Sequence, residues 1–409
     1  MRRSSKEKIQ ILEGSQVSDK SKWAVWSVAF VWFTTHFGGG FASGRQLVDF
    51  YVNYGWYAIF MPVLSAAIIA LVLYFAWSFA VKAKVYDYRT WSTAFYKPLG
   101  ALEPLFSLAI EVMYLIILFV ATGVALSTGS TLLTQLVPGF SYIPCTIGIA
   151  AFIFALTIWG AETVRKAATF MAILIIGGML IIYISNMVVN FPKFIAVLSA
   201  APVPETTASG MQGGFWNALW QAVKYAGLQC ALVGAYTAVA DALNDESDVK
   251  KTTWIGFIVN AGVLVLATTG VLAHFPMTGA LQGTAEAPSI LMLSTPITYI
   301  TQHGGGGNIG VALVSMIILL AVVSTGVGLI YGGARRISTW WMKRTGTKSS
   351  RKTDIISSAV YVVLSWGAAT FGLIPLIQKG YAWVGILSTP LVVIPILAMG
   401  IFHKTRSNG

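Results

Sequence analysis

Ten stretches of this chain are apolar for about twenty residues each, and this repetition limits the fold more than any other feature of the sequence. A helix rises 1.5 Å per residue, so crossing the hydrocarbon core of a bilayer takes about 20 apolar residues. The runs fall at 23–51, 55–80, 104–136, 142–160, 164–189, 215–240, 252–273, 308–334, 354–373 and 380–402. They are continuously apolar, which excludes a spanning β-barrel, whose strands turn alternate residues to lipid. Only 10% of the 409 residues are charged and 56% are hydrophobic, with a mean hydropathy of +0.73. A soluble domain carries about 25% charged residues, so a soluble enzyme, a disordered chain and a coiled coil are all excluded. The lipid bilayer is the expected partner.

The net charge of +12 invites a nucleic-acid reading, but the placement of the charge argues against it. With the amino terminus inside, 23 of the 27 Lys and Arg fall in inward-facing segments. Only Lys193 and Lys379 fall outside, while Arg45 and Lys224 lie within runs. That asymmetry is the orientation signal of a multi-pass membrane protein. The expected class is therefore an all-α membrane protein of ten transmembrane helices, with both termini in the cytoplasm and the cell membrane of a bacterium as its location. One transporter-like domain spans 23–403, between short cytoplasmic tails at 1–22 and 404–409. Residues 1–22 are polar and mixed in charge, so no cleavable signal peptide is expected. Five spans in each half, 23–190 and 215–403, force the second half upside down, an inverted repeat common among secondary transporters. The repeat rests on span number, because the halves share no evident residue identity. The loop 274–307 holds an apolar segment, Pro288 to Ile300, expected to form a short helix over the outer face.

The first span holds the most informative motif, Thr34-Thr35-His36-Phe37-Gly38-Gly39-Gly40-Phe41-Ala42-Ser43-Gly44-Arg45. Four glycines at mid-membrane depth predict an interrupted helix, with free N–H groups near Gly39 to Ala42 and free carbonyls near Thr34 to Phe37. The first set suits a carboxylate and the second a cation. Glycines spaced for close helix packing, as Gly40 and Gly44 are, form the plainer alternative. Span 6 is expected to mirror span 1, with Gly227 and Gly234 flanking Gln229, whose amide needs partners. In span 8, Ser324 and Thr325 offer adjacent oxygens to a small cation, unless they bond back to their own helix.

Ionisable groups inside a membrane are costly and mark functional candidates. Here they are Arg45, with Asp49 one turn on, Glu111, Lys224 and His36. A Glu111–Lys224 pair is one expectation, and Lys224 has a second use as a fixed or titrating charge. Phe41 and Tyr225 lie beside the breaks as candidate solute contacts. Trp23, Trp26, Trp56, Trp77, Trp91, Trp340 and Trp341 lie near span ends and read as interface anchors. Cys145 and Cys230 read as packing residues; neither belongs to a metal or redox motif.

Gly38-Gly39-Gly40-Phe41-Ala42-Ser43-Gly44 resembles the G-A-G-F-A-S-G signature of the YkvI-like membrane proteins. These are similar to the amino acid-polyamine-organocation superfamily, whose members share the five-plus-five LeuT fold. The resemblance covers 23–402 in span number and break positions. It implies a solute site between spans 1, 3, 6 and 8, with Gly38, Gly39 and Gly40 facing a carboxylate and Gln229 in the broken sixth helix. It also implies a Na⁺ site at Ser324, Thr325 and the Ala321 carbonyl, completed near His36. Departures are Gly39 for alanine, Arg45-Gln46 for Gln-Glu, His36 for an apolar residue, and Lys224. The expected activity is secondary active transport of a small amino-acid-like solute, driven by Na⁺ or H⁺, with no enzymatic chemistry and no cofactor beyond Na⁺. A transporter-like receptor or sensor is the alternative, and the oligomeric state is open. Neither a channel-like polar stripe nor an acid–base cluster is evident.

Overall fold

The computed structural model describes residues 23–137, 139–346 and 350–408, so the expected tail at 1–22 lies outside them. The described chain is all helical apart from two isolated bridges in loops. Helix covers part or all of every apolar run. Among the described residues, seven helices are long and apolar enough to cross a membrane: Met61–Ala83, Tyr88–Leu136, Tyr142–Trp159, Phe170–Ala200, Glu246–Leu272, Pro296–Thr345 and Leu373–Arg406.

The first run is cut into α1 (23–36), α2 (Gly39–Ala42) and α3 (Arg45–Phe50). The first cut falls at Phe37 and Gly38, beside the glycine cluster. The second falls at Gly44, whose φ of +79° is open to glycine at little cost. A 3₁₀ stretch, Val52–Ile59, leads to α4 (Met61–Ala83), which carries Pro in its first turn where no N–H is missed. Helix α5 (Tyr88–Tyr96) starts on Asp87, whose carboxylate accepts from the Thr90 N–H. Then come α6 (Glu103–Leu136) and α7 (Tyr142–Ala155), the latter running through a π turn into α8 (Ala161–Ala200).

The second half opens with α9 (Phe215–Cys230) and α10 (Val233–Thr237), separated at Ala231 and Leu232. Helix α11 (Glu246–Leu272) is capped by Asp245. A long loop leads to α12 (Pro296–Thr301) and α13 (Gly307–Thr345). Helix α14 (Arg351–Ala369) is capped by Ser350. The last run is α15 (Leu373–Pro375), α16 (Ala382–Ser388) and α17 (Ile394–Asn408), joined by π turns.

The break of span 6 falls between Gly227 and Gly234 but at neither glycine. Gly227 sits inside α9, and a methyl there would lie 2.5 Å from the Gly385 carbonyl oxygen. Its role is close approach of α9 to α16, and the backbone interrupts one turn further on. The loop segment Pro288–Ile300 is likewise not one helix: it is a 3₁₀ turn, Ile290–Met292, followed by α12.

Helix α4 packs along α11, and α6 along α13. Large apolar side chains such as Phe170, Ile181, Val188, Trp254, Ile309 and Phe371 are exposed on the outside, as a lipid-facing surface requires. Trp23, Trp26, Trp340 and Trp341 share that exposure. Trp77 and Trp91 do not. Both are fully buried: the Trp77 indole N–H donates to the Tyr236 carbonyl on α10 and its ring packs edge-on against Trp32, while Trp91 on α5 donates its indole N–H to the Ala76 carbonyl of α4. Cys145 and Cys230 are buried and free.

Candidate functional site

A cavity of about 1190 Å³ runs from Trp23 and Trp26, at the start of α1, to Gly40 and Gln46 beyond its break. Its walls come from α1 and α2, α6, α8, the junction of α9 and α10, α13, and Tyr381. The glycine cluster determines where it ends. Among the described residues the N–H groups of Gly38, Gly39, Gly40 and Phe41 donate to no backbone carbonyl; the chain resumes with Ala42 N–H to Gly38 O at 3.0 Å. Orphan backbone donors at this depth are tolerated only beside a cavity or protein partners.

Helix α13 meets the break from the other side. A methyl on Gly38 would lie 3.5 Å from Thr325 Cγ2, and one on Gly39 3.2 Å from Val322 Cγ2. Ala321, Ser324 and Thr325 line the cavity. Elsewhere in the helices, hydroxyls such as Thr122, Thr128, Ser130 and Ser315 donate to carbonyls four residues back. Ser324 and Thr325 make no such bond among the described residues, so both oxygens are free for a ligand.

His36, also in the cavity wall, is 2% exposed and held at both nitrogens. Nδ1 lies 2.9 Å from Asn260 Oδ1, and Nε2 lies 2.7 Å from the Tyr225 hydroxyl. Gln229 lines the cavity at the end of α9. Phe41 and Tyr225 do not line it. Phe41 packs tilted against Phe37 with ring centroids 3.9 Å apart, and Tyr225 packs against Phe50 and Tyr51.

Arg45, Glu111 and Lys224 do not line the cavity either. Arg45 is 1% exposed and closes the far end: it pairs with Asp49 through both guanidinium arms, with Nε 2.7 Å from Oδ2. Its Nη1 also donates to the carbonyls of Leu291 at 2.7 Å and Leu293 at 3.0 Å. Asp49 in turn accepts from Gln378 Nε2 at 3.0 Å. Ile297 caps the same end: its N–H donates to Ser43 O at 3.2 Å, and its side chain lies over Gly44. Glu111 pairs with Arg89, not with Lys224, because α5 folds back against α6 and lays Arg89 on it. Lys224 is buried with no ion-pair partner among the described residues.

The sequence reading named Gln46 only as a departure from the signature, not as a site residue, and passed over Tyr381 and Asn260. Gln46 stood one residue from the motif, but the turn at Gly44 decides which way it points. Asn260 and Tyr381 carry no local signal and arrive through the packing of α11 and of the π turn before α16.

No family model matches the chain. It is 22% identical over 324 residues to the membrane protein YkvI of Bacillus subtilis (strain 168), covering 79% of this chain and 83% of YkvI. Among solved structures it is similar to Mhp1 in an inward-facing conformation, with a TM-score of 0.58 and 16% identity, over 88% of this chain and 75% of Mhp1. It is also similar to MhsT in complex with L-phenylalanine, at 0.56 and 13%, covering 88% and 87%. A third likeness is to a Na⁺-coupled sialic acid symporter in a substrate-bound outward-open state, at 0.53 and 12%, covering 91% and 84%. The chain is thus similar to YkvI over most of its length, and its fold is that of the LeuT-type transporters.

Proposed function

We propose that the chain is an ion-coupled secondary transporter of a small amino-acid-like solute, working by alternating access. One observation carries this reading: a deep cavity ends at a helix break whose backbone donors are unpaired, directly beside two free hydroxyls on α13. The donors at Gly38, Gly39 and Gly40 suit a carboxylate, with Gln229 nearby in the wall. Ser324 and Thr325, with the Ala321 carbonyl and the last carbonyls of α1 near His36, suit Na⁺. Na⁺ coupling in the similar sialic acid symporter and the L-phenylalanine bound by the similar MhsT support both halves.

The same reading counts ten spans in a five-plus-five inverted repeat, with spans 1 and 6 interrupted. The packing of α4 on α11 and of α6 on α13 supports it, since these are the second and third spans of each half. The distribution of Lys and Arg supports both termini in the cytoplasm, with the chain in the plasma membrane. In that orientation the cavity opens inward, and Arg45, Asp49 and Ile297 shut the outer side. Ion binding between α1 and α13 would favour the opposite, outward-open state.

Purified protein in proteoliposomes tests the reading. Uptake of a radiolabelled amino acid that depends on an inward Na⁺ gradient is the expected result. Solute binding with no accumulation under any Na⁺ or H⁺ gradient would instead identify a receptor.

A further inference from the structure

Two side chains at the closed end of the cavity have no task in the reading above. Gln46 is 3% exposed, and its carboxamide forms no hydrogen bond among the described residues. Tyr381 is 8% exposed, and its hydroxyl is also unpartnered there. Both border the cavity, and they converge on Gly40: a methyl at that position would lie 3.3 Å from Gln46 Oε1 and 3.4 Å from Tyr381 Cε2. The corresponding position on Gly38 touches Thr325, so this pair occupies a different wall from the free hydroxyls of α13.

Both side chains face the cavity, and a solute that displaces water from their polar ends without bonding to them leaves a desolvated polar group, which is costly. A solute group that completes Gln46 and Tyr381 therefore recovers free energy that a methyl group cannot. The charge of that group follows from the rest of the lining. No Asp, Glu, Lys or Arg among the described residues borders the cavity. The unpaired N–H groups of the break are taken by the carboxylate of the solute, so a second charged group pressed against Gln46 and Tyr381 would lose its hydration with no counter-charge in return. The complement is therefore uncharged, and it both donates and accepts. The carboxamide of Gln46 presents a donor and an acceptor on one planar edge. A second carboxamide closes both bonds at once and leaves the Tyr381 hydroxyl a third.

We propose that Gln46 and Tyr381 are specificity-determining residues that select an amino acid bearing a side-chain carboxamide, as glutamine does. This rests on the amino-acid reading of the cavity and adds the identity of the side group.

The test is ligand-dependent thermal stability of the purified full chain in NaCl, titrated with L-glutamine, L-glutamate and L-norleucine. The wild type, Gln46→Leu and Tyr381→Phe are compared. Wild type should bind glutamine at least about tenfold more tightly than norleucine and reject glutamate, since a polar site discriminates strongly against an analogue lacking the bond. Gln46→Leu should lose that preference while keeping norleucine, which also shows that it is folded. Tyr381→Phe should weaken glutamine alone, by several-fold. Equal binding of glutamine and norleucine by wild type, or an unchanged ratio in Gln46→Leu, overturns the proposal and leaves the transport reading standing. No stabilisation of wild type by any of the three overturns the amino-acid reading, and the proposal with it.

Discussion

The hydroxyl of Tyr225 lies 2.7 Å from Nε2 of His36, a direct hydrogen bond between the two interrupted helices. Its direction follows from the next partner along. Asn260 Nδ2 donates to the Gly256 carbonyl at 2.8 Å, which turns Oδ1 toward His36 Nδ1. Nδ1 therefore carries the proton, Nε2 presents its lone pair, and Tyr225 donates to it. Tyr225→Phe should leave a buried acceptor unpaired and destabilise the protein by about 1–3 kcal/mol. Thermal unfolding in detergent reads that loss. A solute affinity lowered in the same variant would show that the bond also holds the α1 break in shape.

Ser324→Ala with Thr325→Val removes two oxygens that make no bond within the described protein. Stability without Na⁺ should therefore change little. Stabilisation by Na⁺ should largely vanish; a ligand at 100 times its dissociation constant contributes about 2.7 kcal/mol. Melting curves in NaCl and in choline chloride at equal ionic strength measure the difference. Full Na⁺ stabilisation in the double variant would place the ion elsewhere.

The Arg45–Asp49 pair is buried at 1% and 3% exposure, where losing one partner leaves a bare charge. Arg45→Gln should destabilise the molecule by about 3–5 kcal/mol. Because Arg45 also holds the carbonyls of Leu291 and Leu293, the outer loop should loosen. A cysteine at Ile297, where the loop covers Gly44, should react faster with an impermeant thiol reagent in the Arg45→Gln background.

His274 lies beyond the end of α11, with Nε2 3.0 Å from Asn186 Oδ1. Burial lowers its pKa from 6.5 to about 4, and the nearby Lys193 and His303 charges push the same way. The unfolded chain therefore binds this proton more readily than the folded chain between those values. Stability contributed by neutral His274 is present above about pH 6.5 and lost as pH falls toward 4. The melting temperature should fall over that interval, and His274→Gln should flatten the slope.

Some features of the site were legible from local chemistry and others were not. The break at Phe37 and Gly38 was readable because three glycines in a row at membrane depth weaken the helix where they stand. The break of the sixth span falls between Gly227 and Gly234 but at neither glycine: Gly227 looks the same whether it interrupts a helix or lets α16 approach, and only the 2.5 Å distance to the Gly385 oxygen distinguishes the two. Glu111 was a candidate for Lys224 because both are rare charges in apolar runs. Its actual partner, Arg89, is brought to it by α5 folding back on α6.

By itself the sequence determined the solvent, the helical class and the position of the first break. These follow from composition, from run length against bilayer thickness, and from backbone freedom at glycine, all of which act over a few neighbouring residues. Only the tertiary structure decided that the cavity ends at Gln46 and Tyr381, that His36 is shared between Asn260 and Tyr225, and that Arg45 fastens a loop more than 240 residues away. Each depends on which helices lie side by side, and a hydrogen bond or ion pair forms only between groups that packing brings within about 3 Å.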